Sequence, residues 1–159
     1  MNNCVLVCHC LLDPLTRVKG ARKIKTDIIT TLINEDISMI QLPCPEIRYG
    51  FSRPQRNKED YDIPEYRKYC KKLAEEIAET VKEYENAGHT VFGLISIGGS
   101  PTCGFQRTHV KGESVKEPGV FIEALLEVFR TQNLKIEICD HDILEKKSEK
   151  RRFLSLCRD

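Results

Sequence analysis

The stretch Thr90-Val91-Phe92-Gly93-Leu94-Ile95-Ser96-Ile97, followed by Gly98-Gly99-Ser100-Pro101-Thr102-Cys103-Gly104, decides how the chain is read. Its first half is short and nearly continuous in apolar, β-branched character, which predicts a strand covered on both faces, as in a parallel sheet. Two glycines and a proline then stop the strand and predict a tight loop at its carboxyl end. Upstream, Ile63 to Asn86 places Leu73, Ile77, Val81 and Tyr84 on one helical face, and Ala87-Gly88 supplies a stop. Downstream, Pro118 to Gln132 predicts another helix, with Pro118 suited to the first turn.

The same alternation extends to both ends of the chain. Cys4 to Cys8, Ile37 to Leu42 and Leu134 to Cys139 are three more apolar runs of strand length. Ala21 to Asn34 spaces Ile24, Ile28, Leu32 and Ile33 at helical intervals, and Asp142 to Leu156 predicts a last helix. Strands alternating with helices predict an α/β fold. The expectation is a single doubly wound domain over residues 1–159, flavodoxin- or Rossmann-like, with a mostly parallel sheet of about four to five strands and right-handed crossovers. No repeat, low-complexity segment or domain linker interrupts it. The irregular piece is Pro45 to Asp62, rich in Arg, Pro, Tyr and charge, and a connection of that length inside a compact domain is expected to shape a site.

A chain of 159 residues buries a sizeable core without help from metal or disulfides, so a bound metal would serve chemistry rather than folding. With 25 basic and 24 acidic residues the net charge is +1, which gives no sign of a nucleic-acid polymer as partner. The basic run Lys146 to Arg152 reads as the solvated face of a helix. No apolar stretch reaches the roughly 18 residues of a membrane span, and the first residues already read as a buried strand rather than a signal segment. A cytoplasmic location is therefore expected, where eight cysteines do not form a disulfide framework.

In a doubly wound sheet, ligands bind outside the carboxyl ends of the strands. Cys8 and Cys10 close the first predicted strand, Cys44 follows the second, Cys103 follows the third and Cys139 ends the fourth. The gaps of 34 residues from Cys10 to Cys44 and 59 from Cys44 to Cys103 are unlike a zinc ribbon, yet strand ends remote in sequence are neighbours in space. A cysteine at a strand end is often only a packed small residue. Three in turn-like loops point instead to a shared soft ligand set, for iron–sulfur or for zinc. Cys8 and Cys10, two apart, share a strand face and cannot be told apart by alternation. Cys4, Cys70, Cys139 and Cys157 read as structural. His9, beside two cysteines, and His109, beyond the Cys103 loop, read as polar loop residues, as do Arg48, Tyr49, Arg53 and Arg56.

At Cys10-Leu11-Leu12, Cys44-Pro45-Glu46 and Ser100-Pro101-Thr102-Cys103-Gly104 the sequence resembles the thiouracil desulfurase family, with the three motifs in the family's order and spread over nearly the whole chain. The resemblance selects Cys10 over Cys8. It implies that Cys10, Cys44 and Cys103 hold a [4Fe-4S] cluster whose fourth iron, without a protein ligand, takes the sulfur of a small thiolated substrate. It also implies Glu46 and Ser100 as catalytic residues, non-redox release of hydrosulfide, and dependence on iron–sulfur assembly machinery. Two loops depart from the family's pattern. After Cys10-Leu11-Leu12 the chain reads Asp13-Pro14-Leu15-Thr16-Arg17, keeping an arginine but losing a glycine, a second cysteine and a tyrosine. After Glu46 a glycine-rich stretch is replaced by Ile47-Arg48-Tyr49-Gly50-Phe51-Ser52-Arg53-Pro54. These loops are expected to line the substrate pocket, so the departures bear on substrate more than on the cysteines. The alternative reading is a non-catalytic module that binds zinc or carries sulfur. A nucleotide-binding use of Gly98-Gly99-Ser100 lacks a full phosphate-loop pattern.

Overall fold

Residues Cys4 to Val7 alternate between two apolar faces, and that alternation sets the layers. Cys4 and Leu6 point to one side of the sheet and Val5 and Val7 to the other, all buried. The computed structural model describes residues 3–17, 24–51 and 57–157. In chain order these form β1 (Asn3–Val7), α1 (His9–Leu12), a 3-10 turn (Pro14–Thr16), α2 (Ile28–Asn34), β2 (Ser38–Gln41), α3 (Pro45–Tyr49), α4 (Lys58–Tyr61) and α5 (Pro64–Asn86). There follow β3 (Thr90–Ser96), β4 (Thr108–Val110), β5 (Glu113–Val115), α6 (Val120–Thr131), β6 (Glu137–Asp140), a second 3-10 turn (Ile143–Glu145) and α7 (Lys147–Leu154).

Four strands form one parallel sheet in the order β2-β1-β3-β6. Val7 pairs with Gln41 on one side and with Ile95 on the other, and Leu94 pairs with Ile138. The chain thus winds outward from β1 to β2, then returns across β1 to β3 and β6. This is the flavodoxin-like order, and it opens a crevice beyond the carboxyl ends of β1 and β3, where the direction of winding reverses.

Helices cover both faces. Leu6, Leu94 and Ile138 pack against Leu73, Ile77 and Val81 of α5 and Phe121, Leu125 and Phe129 of α6. On the opposite face Val5, Val7, Ile95 and Cys139 pack against Ile28 and Leu32 of α2 and Phe153 of α7. The Phe153 ring lies so close over the sheet that a Cβ on Gly93 would sit 2.7 Å from it. Only glycine permits that approach.

The parallel sheet and its long helices lie where the periodicity predicts, and the differences fall in short elements. The last helix is broken into a 3-10 turn and α7, because Asp142 turns back toward Arg107 of the site before the helix starts. Pro45 to Asp62 contains α3 and α4, and an antiparallel hairpin, β4–β5, follows the Cys103 loop. Residues 21–23 of the predicted first helix, and Arg53 and Arg56, lie outside the described residues. Two of the five basic residues in the run are paired among the described residues: Lys150 meets Asp27, and Arg152 meets Glu137 and Glu149. Among the described residues no helix is long and apolar enough to cross a membrane.

Candidate active site at the strand switch point

A cavity of about 1170 Å³ occupies the crevice, and Cys10, Cys44, Cys103, Glu46 and Ser100 all line it. The three cysteines are delivered by the loops after three different strands, Glu46 with Cys44 and Ser100 with Cys103. Cys8 leaves β1 in extended backbone and caps the single turn of α1, so Cys10 falls in that turn. Cys44 is the N-cap of α3, and Pro45 at the first helical position fixes the approach. The amides of Glu46 and Ile47 point at its sulfur, as donors at a helix N-terminus do.

The Cys103 loop is held from within. Ser100 Oγ accepts the amide of Cys103 at 3.0 Å, the amide of Gly104 donates to the Ser100 carbonyl at 3.0 Å, and the Ile97 amide donates to the Cys103 carbonyl at 2.9 Å. It is also clamped from outside. Asp140, fully buried at the end of β6, accepts from Ser96 Oγ at 2.7 Å and from the amides of Phe105 and Gln106 at 2.8 Å each. In return the Asp140 amide donates to Gln106 Oε1 at 2.8 Å.

The three thiols act on one another. Burial pushes the Cys10 thiol up to about 12; Cys103 and Cys44 add to this, while Arg17, hydrogen-bonded to the Cys10 sulfur, opposes it. Burial likewise raises Cys44, with Cys103 contributing, and its helix amides oppose the rise. Cys103 is raised by the hydrogen bond its thiol donates to the Cys8 sulfur and by burial. Three thiolates would repel here unless a soft cation neutralised them, so a metal group would bind with release of protons. Among the described residues no three His, Cys, Asp or Glu side chains close around a point that holds a single metal ion. A mononuclear thiolate site needs sulfurs within roughly 3.8 Å of one another, as follows from tetrahedral bonds of about 2.3 Å. A multi-iron cluster takes each thiolate on a different iron and so accepts wider spacing. The donor set fits a cluster in chemistry: three thiols, one cavity, and an arginine and helix amides placed against negative charge.

Glu46 is buried, with one carboxylate oxygen accepting from the Tyr61 hydroxyl and the other from Thr102 Oγ1 at 2.9 Å. It therefore ties α3 to α4 and to the Cys103 loop while lining the cavity. Tyr61 belongs to a packed group with Tyr49, Phe51, Tyr66 and Tyr69, in which the Phe51 ring stands edge-on to Tyr66 at 4.6 Å and to Tyr61 at 4.8 Å. Tyr49 is thus part of a packed wall, and Arg48 is exposed.

Of the remaining cysteines, Cys8 lines the cavity beside Cys103 and the others lie apart. Cys4, Cys70 and Cys139 are buried in the two cores, and Cys157 packs at the edge of one. His9 bridges Asp13 and Gln41, each at 3.2 Å. His109 reaches the Gly99 carbonyl at 2.7 Å and lines the cavity. Four contributors escaped sequence reading: Tyr61, the Asp140 clamp, His141 and the Arg107–Asp142 pair at 2.9 Å. Only Asp140 had a signal, as a carboxylate directly after an apolar strand, at the edge where sites form.

The architecture and the cysteine-lined switch point place the chain in a known structural class. It is similar in fold to the solved structure of a [4Fe-4S]-dependent thiouracil desulfidase, TudS, with a TM-score of 0.61 and 20% identity, covering 98% of this chain and 99% of that one. No family model matches the sequence. The chain is 31% identical over 145 residues to Uncharacterized protein MJ0003 of Methanocaldococcus jannaschii, covering 89% of this chain and 86% of that protein. It belongs to the same family as that archaeal protein.

Proposed function

We propose that the protein is a [4Fe-4S]-dependent desulfidase that removes sulfur from a small thiolated compound, a thiouracil-like base or another thioamide. The observation that carries the reading is the convergence of Cys10, Cys44 and Cys103, from loops after three different strands, on one cavity that Glu46 also lines. The likeness in fold to a thiouracil desulfidase supports it. Cys10, Cys44 and Cys103 would hold the cluster, loaded by iron–sulfur assembly machinery in the cytoplasm. When bound, such a cluster supplies a thiophilic iron without a protein ligand, a Lewis acid for a C=S group.

The net reaction is hydrolysis: C=S and water give C=O and hydrogen sulfide, with no change in electron count. The protein's share is to hold water and move protons. Glu46, fixed by Tyr61 and Thr102 at the cavity wall, takes the proton of the attacking water. Ser100 shapes the Cys103 loop by accepting its amide, and its O–H, which in this structure lies 3.4 Å from Thr102 Oγ1, turns to donate to the developing anion or the substrate nitrogen. Anaerobic incubation of the protein with thiolated bases, nucleosides and thioamides should release hydrosulfide from at least one of them. A colourless protein holding stoichiometric zinc and releasing none would mean a metal-binding or sulfur-carrying module instead.

A further inference from the structure

Part of the cavity wall is built on Gly98 and Gly99, and two histidines are fixed there in opposite tautomers. The Gly98 amide donates to His141 Nδ1 at 3.2 Å. An amide only donates, so this nitrogen carries no proton, and neutral His141 bears its proton on Nε2. His109 Nδ1 meets the Gly99 carbonyl at 2.7 Å. A carbonyl only accepts, so this nitrogen is protonated, and neutral His109 presents Nε2 as an acceptor.

Both residues line the cavity, and neither Nε2 has a hydrogen-bond partner among the described residues. Burial holds His141 below the ordinary histidine range, which keeps it in the neutral form.

The protein's own side chains pack tightly on this wall. A Cβ on Gly99, whose φ is +87°, would lie 2.6 Å from Arg107 Nη1 and 3.2 Å from His109 Cε1. A Cβ on Gly98 would lie 2.3 Å from Asp142 Oδ1. Arg107 is anchored on Asp142 through Nε at 3.2 Å and Nη2 at 2.9 Å, so the wall stands without a ligand. It adjoins the cysteines, because Arg17 bonds the Cys10 sulfur and its charge also acts on His141.

We propose that His141 and His109 are the specificity-determining pair of this cavity, His141 Nε2–H donating to a carbonyl or thiocarbonyl and His109 Nε2 accepting from an N–H of the same ligand. A cyclic amide or thioamide presents those two groups together. The proposal deepens the desulfidase reading and rests on it for the sulfur chemistry alone.

The test is calorimetric titration of the anaerobically purified chain with uracil and with 1,3-dimethyluracil, which keeps the carbonyls but has no N–H. The wild type binds uracil about tenfold or more tighter than the dimethyl compound. His109→Phe abolishes that preference and His109→Gln, which keeps an acceptor, restores part of it. His141→Phe weakens both ligands by a similar factor of about ten, since both lose the same donor. A wild type that does not distinguish the two compounds, or a folded His109→Phe that still does, overturns the pair. Hydrosulfide release from 4-thiouracil is measured on the same preparations. Uracil binding that follows this pattern without hydrosulfide release upholds the pair and defeats the desulfidase reading. Release with unchanged KM and kcat in both Phe variants defeats the pair and not that reading.

Discussion

Single side chains divide here into those that do chemistry and those that hold them. Glu46 is in both groups, since its carboxylate bonds two hydroxyls and faces the cavity. Glu46→Gln keeps the shape and removes the base, so kcat for hydrosulfide release should fall by about 10²–10⁴-fold while iron content stays constant. A parallel loss of iron would reassign Glu46 to scaffolding. Asp140 belongs to the second group. Asp140→Ala leaves Ser96 Oγ and the amides of Phe105 and Gln106 without their acceptor, at about 1–3 kcal/mol for each donor left buried and unsatisfied. Urea unfolding should show a loss of at least about 2 kcal/mol, and Asp140→Asn, which keeps one acceptor oxygen, should lose less. Periodicity did not reveal Asp140 or His141, because the apolar pattern ends at Cys139, and the one sequence signal was the position of Asp140 directly after an apolar strand. Nothing in periodicity says that the next side chain turns inward to clamp a loop from another strand.

At the scale of elements, period decides what was readable. The helix at 64–86 and the strand at 90–96 are long enough for apolar spacing to repeat, and they lie where spacing predicts them. The hairpin Thr108–Val110 with Glu113–Val115 has three residues on each side, too few to establish alternation. Its turn, Lys111-Gly112, lacks the Asn-Gly signature, although Lys111 takes φ 49° and Gly112 φ 80° as a mirror-type turn requires. The helices at 45–49 and 58–61 are single turns, held by caps and by the tyrosine cluster rather than by their own pattern. The C-terminal helix is anchored mainly by one ring. Phe153 is fully buried over Gly93 and lies 5.5 Å from Phe92, ring centre to ring centre. Phe153→Ala should cost about 3–5 kcal/mol in chemical denaturation, the range for a large aromatic removed from a core. A cost under 1 kcal/mol would mean that this helix contributes little to the fold.

For the molecule as a whole, the buried thiols tie stability to pH. Burial lifts Cys10 and Cys70 to about 12 and Cys139 to about 11, against an ordinary value of 9.0. The folded metal-free chain therefore holds these protons more tightly than the unfolded chain does. Their stabilising share is fully present below pH 9.0 and is lost as pH rises through about 11 to 12. The melting temperature of the metal-free protein should drop steeply over that window, and Cys139→Ala should flatten part of the drop. The winding order of the sheet explains how cysteines 34 and 59 residues apart can serve one cavity, and that much followed from the strand pattern. The substrate-facing wall did not, because it depends on backbone partners of two histidines that no spacing reveals. The central claim is that these three cysteines jointly hold an iron–sulfur cluster. Its most direct test is iron and acid-labile sulfide analysis of anaerobically purified protein beside Cys10→Ala, Cys44→Ala and Cys103→Ala. The expected result is a brown wild type with about four irons and four sulfides per chain, and loss of both in every variant. A wild type without iron, or any one of these variants retaining a full complement of iron and sulfide, would contradict it.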